Sequence, residues 1–435
     1  MPFKRNGRKT ESRIAYAMIL PAVLIIALIA VWPLIRSFWI SLYDLRLNDP
    51  ARNEMHAEYS IDMEKYANTM PFLIGAINKE VGSADGDAKT RLTALADRVR
   101  ELGESLKSDP AFAAREQEVN RLLDDFKPVP DPLKQLTIDD AKAEQLRAGM
   151  TEIRSELQKL KGGGSLERPD EAVGLTKAVQ DSLASPNFVG LAHYKALLSG
   201  NRLWAALSNT ALFTVLAVSL EMLIGLLIAL LINRTFRGRG LVRAAVLIPW
   251  ATPTAVSAMI WHFLYDGQNG IVAKLFAAAG IIPNMGAMLS TRGWAMASVV
   301  MADVWKTAPF VALLLLAGLQ SIPDSLYEAA RVDGASRWRQ FVHVTVPMLK
   351  PAFFVALMFR TLDAFRVFDL IYVLTGGGPA NSTESISIYA YKTMFSELDF
   401  GTGSALSVIL FVCVLLISMV YVKLLGSDAL GRRAG

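Results

Sequence analysis

The stretch "PDSLYEAARVDGASRWRQFVHVTVPMLKP", residues 323–351, is charged and helix-prone, and it lies between two strongly apolar runs. Ser325, with Leu326, Tyr327 and Glu328 after it, has the form of a capping box. The serine hydroxyl takes an amide three residues on, and Glu328 reaches back. Asp333-Gly334 then breaks the helix, because glycine reaches the left-handed region without steric cost. A second short helix is predicted to carry Trp338, Phe341 and Val342 on one face, with Pro347 opening the next apolar run. Two short helices in so brief a loop cannot bury their apolar faces on each other. They lie either on the lipid interface or on a soluble partner.

Outward from this loop the chain reads as an all-α integral membrane protein. Of 435 residues, 52% are hydrophobic, and mean hydropathy is positive. Six apolar runs approach or exceed the roughly 18 residues needed to span a bilayer: 14–35, 207–232, 241–265, 294–319, 346–374 and 404–425. The first follows "FKRNGRK" but is too long for a signal-peptide core, and bulky "RSFWISLYD" follows it, so a retained anchor is expected. The single cysteine, Cys413, lies in the last run and reads as a small buried hydrophobe. Arginine and lysine crowd alternate loops. Lys4, Arg5, Arg8, Lys9 and Arg13 precede the first run, Arg234, Arg237, Arg239 and Arg243 follow the second, and Arg331, Arg337 and Arg339 follow the fourth. Arg432 and Arg433 close the chain, so both termini are expected in the cytoplasm.

Between the first two runs lies a large segment of different character. Residues 44–200 hold 27 acidic and 21 basic side chains, whereas the whole chain is +5. Leu92, Leu95, Val99, Leu102 and Leu106 recur at helical spacing, as do Val119, Leu122, Leu123 and Phe126, and then Leu146, Met150, Ile153, Leu157 and Leu160. "KPVPDPL" and "KGGGS" interrupt the pattern. A small antiparallel bundle of three or more helices outside the membrane is expected. It is either a docking surface for an extracytoplasmic partner or a passive, solvated insertion.

The loop at 323–351 resembles the coupling loop of ABC importer permeases, the "EAA…G" segment that docks into a cleft on the cytoplasmic ATPase. Glu328, Ala329, Ala330, Asp333, Gly334 and Pro347 carry the match. "NFVGLAHYKALL", "LIPWATPTAVSAMIW", "LAGLQSIP" and "FRVFDLIYVLTGGGP" resemble the carbohydrate branch, the last being typical of its maltose-permease-like first subunit. The resemblance covers 14–44 and 186–425 and leaves out the insert. It implies a type I permease core of six helices whose coupling residues are Glu328, Ala329, Ala330, Asp333 and Gly334. It also implies partners: a second homologous permease, an ATPase dimer that binds ATP and Mg, a periplasmic binding protein and a sugar-like cargo. No cofactor is expected in this chain, and no nucleic acid among its partners.

Charges inside the apolar runs are costly, roughly 2.5–3.5 kcal/mol or more at a helix centre, and mark pathways or pairs. Asp303 and Lys306 are three apart, as are Arg360, Asp363 and Arg366, with Asp369 beyond and Glu221 in the second run. These groups could hydrogen-bond sugar hydroxyls, with Trp250 offering a stacking face. The other reading is internal pairing, Asp303 with Lys306 and Arg360 with Asp363. The resemblance places the branch's sugar-contacting positions on Trp250, Thr254, Asp303, Lys306, Thr307, Arg360, Asp363 and Ala364, where this sequence holds charges in place of neutral groups. Glu221 matches a residue frequent in the family's second span and reads as structural.

The expected organisation is a basic cytoplasmic segment 1–13, a first membrane helix and its exit at 14–45, a helical periplasmic insert at 46–185, a permease core at 186–425 with the coupling loop at 321–347, and a cytoplasmic tail at 426–435. The sequence has no G-x-x-x-x-G-K-[ST], so no P-loop cradles ATP in this chain. His56, His193, His262 and His343 have no metal-ligand spacing. A bacterial inner-membrane permease subunit with no ATPase site of its own follows. The rivals are a secondary transporter, which would show paired halves, and a sensory receptor, which would need a cytoplasmic output domain.

Overall fold

The computed structural model describes residues 16, 18–49, 52–163, 166 and 168–431, side chains beyond Leu424 excepted. The described residues fall into two compact units, Met1–Leu42 with Leu191–Gly435, and Tyr43–Gly190. Lys4, Arg5, Arg8, Lys9, Arg13, Arg432 and Arg433, on which part of the orientation reading rests, lie outside the described residues, as does the start of the first apolar run.

The first unit opens with α1 (Met18–Ile40), whose apolar window is wholly unburied. It widens into a π turn at Ala27–Val31, where Trp32 N–H donates to Ala27 O, one residue before Pro33. A proline ring cannot sit against an ordinary helical carbonyl ladder, and one extra residue in the turn makes room for it.

The second unit runs β1 (Ser60–Asp62), α2 (Met63–Ser83), α3 (Gly86–Lys107), α4 (Pro110–Asp124), β2 (Gln135–Thr137), α5 (Asp140–Gly162), α6 (Pro169–Gln180) and β3 (Leu183–Ala184). Asp62, Asp109 and Asp139 accept backbone amides at the starts of α2, α4 and α5. The expected apolar faces of α3 and α5 are buried throughout. Two expectations need correction. The bundle is not all-helical, because β1 lies between β2 and β3 in a small antiparallel sheet. Phe126 is not on the core face: α4 ends at Asp124, and Phe126 takes φ 53° and is 97% exposed. Lys127 N–H donates to Leu122 O and Phe126 N–H to Leu123 O, a C-terminal closure that puts a left-handed residue at this position.

The first unit resumes with α7 (Asn201–Asn233), α8 (Arg239–Val246), a single turn Ile248–Ala251, α9 (Thr254–Leu264), α10 (Arg292–Gln320), α11 (Asp324–Val332), α12 (Arg337–Phe365), α13 (Asp369–Thr375) and α14 (Phe400–Gly431). Among the described residues five helices are long and apolar enough to cross a membrane: α1, α7, α10, α12 and Phe400–Leu424 of α14. A sixth is reached by counting Arg239–Ala251 and Thr254–Leu264 as one span bent by 89°. Helices α7 and α10 run parallel and close. A Cβ on Gly225 of α7 would lie 2.6 Å from Val311 Cγ1 of α10, so only glycine permits this approach.

Two expected spans are broken. The run 241–265 breaks at Thr252-Pro253, since the residue before proline is pushed out of the helical region and Thr252 is extended at ψ 133°. The run 346–374 ends as a helix at Phe365 and restarts at Asp369, and Arg366 and Asp369 fall at the break instead of on a lipid-facing turn.

Candidate functional site

Two places concentrate the chemistry of the first unit. In the coupling loop, α11 starts behind Pro323, whose carbonyl accepts Leu326 N–H. Ser325 is inside the first turn and caps nothing, so the expected capping box is absent: extended Pro323 is the N-cap and starts the helix two residues earlier. The end of α11 is as expected. Ala335 N–H donates to Ala330 O and Gly334 N–H to Arg331 O, with Gly334 at φ 75°. The second short helix is not separate. Ser336 accepts Arg339 N–H, and α12 runs from Arg337 through a π turn, Phe341–Thr345, into the membrane span. Pro347 therefore does not open the span but lies inside it, accommodated as Pro33 is in α1. Tyr327 OH and Thr345 Oγ1, 2.9 Å apart, tie α11 to α12. Glu328, Ala329, Asp333 and Gly334 are exposed, Ala330 half-buried. Val332 at 88% and Trp338 at 71% exposure leave a large apolar surface uncovered beside them.

The second place lies where α7, α10 and α12 meet. Arg360 of α12 is 3% exposed and makes four charged hydrogen bonds. Its Nε donates to Glu221 Oε2 (2.6 Å), and its Nη2 to Glu221 Oε1 (2.8 Å) and Asp303 Oδ2 (3.1 Å). Its Nη1 donates to Asp363. Of the five guanidinium N–H groups, one remains. Glu221 is fully buried and also accepts from Thr307 Oγ1 at 2.7 Å. Such a cluster survives burial only because each charge faces an opposite one at hydrogen-bond range.

A cavity of about 210 Å³ adjoins this cluster, and Thr254, Asp303, Lys306, Thr307, Arg360, Asp363 and Ala364 all line it. Seven of the eight residues expected at the cargo are thus brought together. Trp250 is not among them. Its ring stacks on Phe310 at 5.5 Å and 14°, so one face is already covered. Arg366 and Asp369 also line the cavity.

The expected internal pairs are half right. Arg360 does bond Asp363, but its bidentate partner is Glu221, which the sequence reading set aside as structural. An ionisable residue in a span was the available signal, and nothing local in the sequence told which of the distant charges it meets. Asp303 and Lys306 are not a pair. Lys306 Nζ donates instead to Trp250 O (3.3 Å) and Thr252 O (2.7 Å), two carbonyls at the end of the turn that breaks before Pro253. A cation at a helix C-terminus satisfies exposed carbonyls and the negative end of the dipole together.

Residues 221–428 match the family described as binding-protein-dependent transport system inner membrane component. The chain is 48% identical over 236 residues to the trehalose/maltose transport system permease protein MalF of Thermococcus litoralis, covering 54% of this chain and 79% of that one. It is 46% identical over 255 residues to the trehalose transport system permease protein SugA of Mycobacterium tuberculosis, 58% of this chain and 80% of the other. It is 38% identical over 238 residues to the sulfoquinovosyl glycerol transport system permease protein SmoG of Agrobacterium fabrum, 55% of this chain and 77% of that one. The chain belongs to this family. It is an inner-membrane permease subunit of an ABC importer, works with a binding protein, and is not itself the ATPase.

Proposed function

We propose that this permease imports a neutral sugar or short oligosaccharide through the cavity beside Arg360. The observation that carries the reading is the saturation of that arginine. With Glu221, Asp303 and Asp363 on it, Arg360 has one N–H left, and Lys306 is engaged by carbonyls. An anionic cargo would find few free donors there and would face Asp303, Asp363 and Asp369 across the cavity. Hydroxyl groups suit the lining better, because they donate to carboxylates and accept from Arg366, which is 65% exposed. Relatives named for trehalose and maltose support the same class.

The assembly pairs this chain with a second homologous permease, an ATPase dimer that binds ATP and Mg, and an extracytoplasmic binding protein. Six crossings, counting the bent pair as one, leave both termini in the cytoplasm and the insert at 46–185 outside. Closure of the ATPase dimer on ATP moves α11 through Glu328, Ala329, Ala330, Asp333 and Gly334, and the outer gate opens in response. Lodged near the middle of the membrane, the cavity receives the cargo from the binding protein.

A second reading, a sulfonated or otherwise acidic glycoside, is favoured by the relative named for sulfoquinovosyl glycerol and by Arg366 on the cavity. Proteoliposomes holding the whole importer separate the two. Labelled trehalose, maltose and an acidic disaccharide are offered with the binding protein and ATP. Uptake of a neutral sugar is expected, and preferential uptake of the acidic one overturns the neutral class.

A further inference from the structure

The segment between α7 and α9 carries a charge pattern that the cargo site does not use. From Asn233 to Ile248 it holds four arginines and no acidic residue. Arg243 is structural: its Nη2 and Nε donate to Ile232 O at 3.1 and 3.4 Å, bolting α8 onto the last turn of α7. The side chains of Arg234, Arg237 and Arg239 make no hydrogen bond or ion pair among the described residues. Beside them Phe236 (44%), Leu241 (79%), Val242 (40%) and Ile248 (63%) are exposed. Free arginines alone would suit water, and exposed apolar side chains alone would suit lipid. Interleaved along one short loop and the helix α8 that follows it, at the end of a membrane span, they suit the boundary between the two.

The side of the membrane follows from packing. Helices α7 and α10 run parallel, so the end of α7 at Asn233 and the end of α10 at Gln320 share a side, and α11 follows α10 directly. The arginines therefore face the leaflet on the coupling-loop side.

We propose that Arg234, Arg237 and Arg239 form a binding site for the phosphate of anionic phospholipid headgroups, with Phe236 and Leu241 anchored in the acyl boundary beneath. An arginine fork matches two phosphate oxygens at once. Each arginine near an anionic leaflet contributes roughly 1 kcal/mol, a factor of about five, so the three together select anionic over zwitterionic lipid on the order of a hundredfold.

The test uses the full chain purified with its ATPase and second permease subunits in mixed phosphatidylcholine–phosphatidylglycerol. Native mass spectrometry then reads the lipids retained. The parent is expected to hold phosphatidylglycerol above its bulk share, and Arg234→Gln/Arg237→Gln/Arg239→Gln to fall to the bulk ratio with all subunits present. Leu241→Ser, which leaves the charges intact, should lower retention of phosphatidylglycerol as well and provides the reading if the triple variant does not assemble. Inorganic phosphate at equal concentration should not displace the lipid. An unchanged lipid ratio in either variant, displacement by free phosphate, or loss of the ATPase from an otherwise folded triple variant, which would assign the arginines to that protein, each overturns the proposal.

Discussion

The two units handle charge in opposite ways. In Tyr43–Gly190 the buried side chains are almost all apolar, and ion pairs such as Arg98–Glu101 and Arg100–Asp97 sit one helical turn apart at 41–67% exposure. In the membrane unit many apolar side chains of α1, α7 and α14 are exposed, while Arg360, Glu221 and Asp303 are buried at 3%, 0% and 7%. The same bond type therefore has different consequences. A solvated pair contributes about 0.2–1 kcal/mol, because water screens it and both partners lose rotamer freedom on pairing. A buried pair adds little when compared with two apolar groups, yet removing one member leaves a charge with no compensation.

The largest expected effect breaks the buried cluster. Glu221→Ala leaves Arg360 facing a cavity with its bidentate partner gone, and should destabilise the complex by about 3–5 kcal/mol, read as a fall in thermal inactivation temperature together with loss of transport. Glu221→Leu with Arg360→Met removes both charges. It should recover most of the stability while transport stays lost. If the double variant transports at the parent rate, the cluster is only a structural pair. Asp363→Asn, on a side chain 56% exposed, should cost less than either.

A middle-sized effect sharpens the comparison at Lys306. Its ammonium satisfies Trp250 O and Thr252 O, which have no water to turn to if they lie at membrane depth. Lys306→Met keeps the length of the side chain and removes the donor, so about 1–3 kcal/mol of stability should go with it. Were Lys306 a cargo ligand alone, the variant would lose transport with no change in melting, and the bond to the broken helix would be incidental.

How much of this was legible follows the range of the interactions. The apolar runs, the Gly334 break and the faces of α3 and α5 are written in local spacing, whereas the set of residues around the cavity comes from the family resemblance, spacing alone marking only its charged members. Arg360's principal partner is not, because Glu221 lies 139 residues away and only the packing of α7 on α12 joins them. The i, i+3 neighbour Asp363 was the local answer and turned out to be the minor one. Lys306 was misassigned for a related reason: its acceptors are backbone carbonyls at a break, and a sequence of side chains does not display them. Helix α2 escaped notice because its buried face, Met63, Tyr66, Ala67, Met70, Leu73, Ala76 and Ile77, is diluted by alanines and crossed by Pro71. Strands of two or three residues are too short to show an alternating pattern.

The smallest expected effect lies in the insert, at the link between α3 and α5. Glu156 accepts from Lys159 Nζ at 2.6 Å on its own helix and from Arg91 Nη2 at 2.5 Å on α3. These two bonds, Lys159 first, hold its carboxyl below the ordinary value of 4.5. A carboxylate with a depressed folded-state pKa stabilises the fold fully above the unfolded value, and that contribution disappears as pH falls through the folded one. The link between α3 and α5 should thus be at full strength at neutral pH and weaken only below about pH 4.5. Hydrogen exchange at the α3 and α5 amides of the intact chain reads it directly, comparing parent and Glu156→Gln across that window. The variant should exchange slightly faster at neutral pH and match the parent in acid. A difference that persists unchanged at low pH would mean that Glu156 acts through packing and not through its charge, and the contrast between a solvated and a buried ion pair would lose its solvated half.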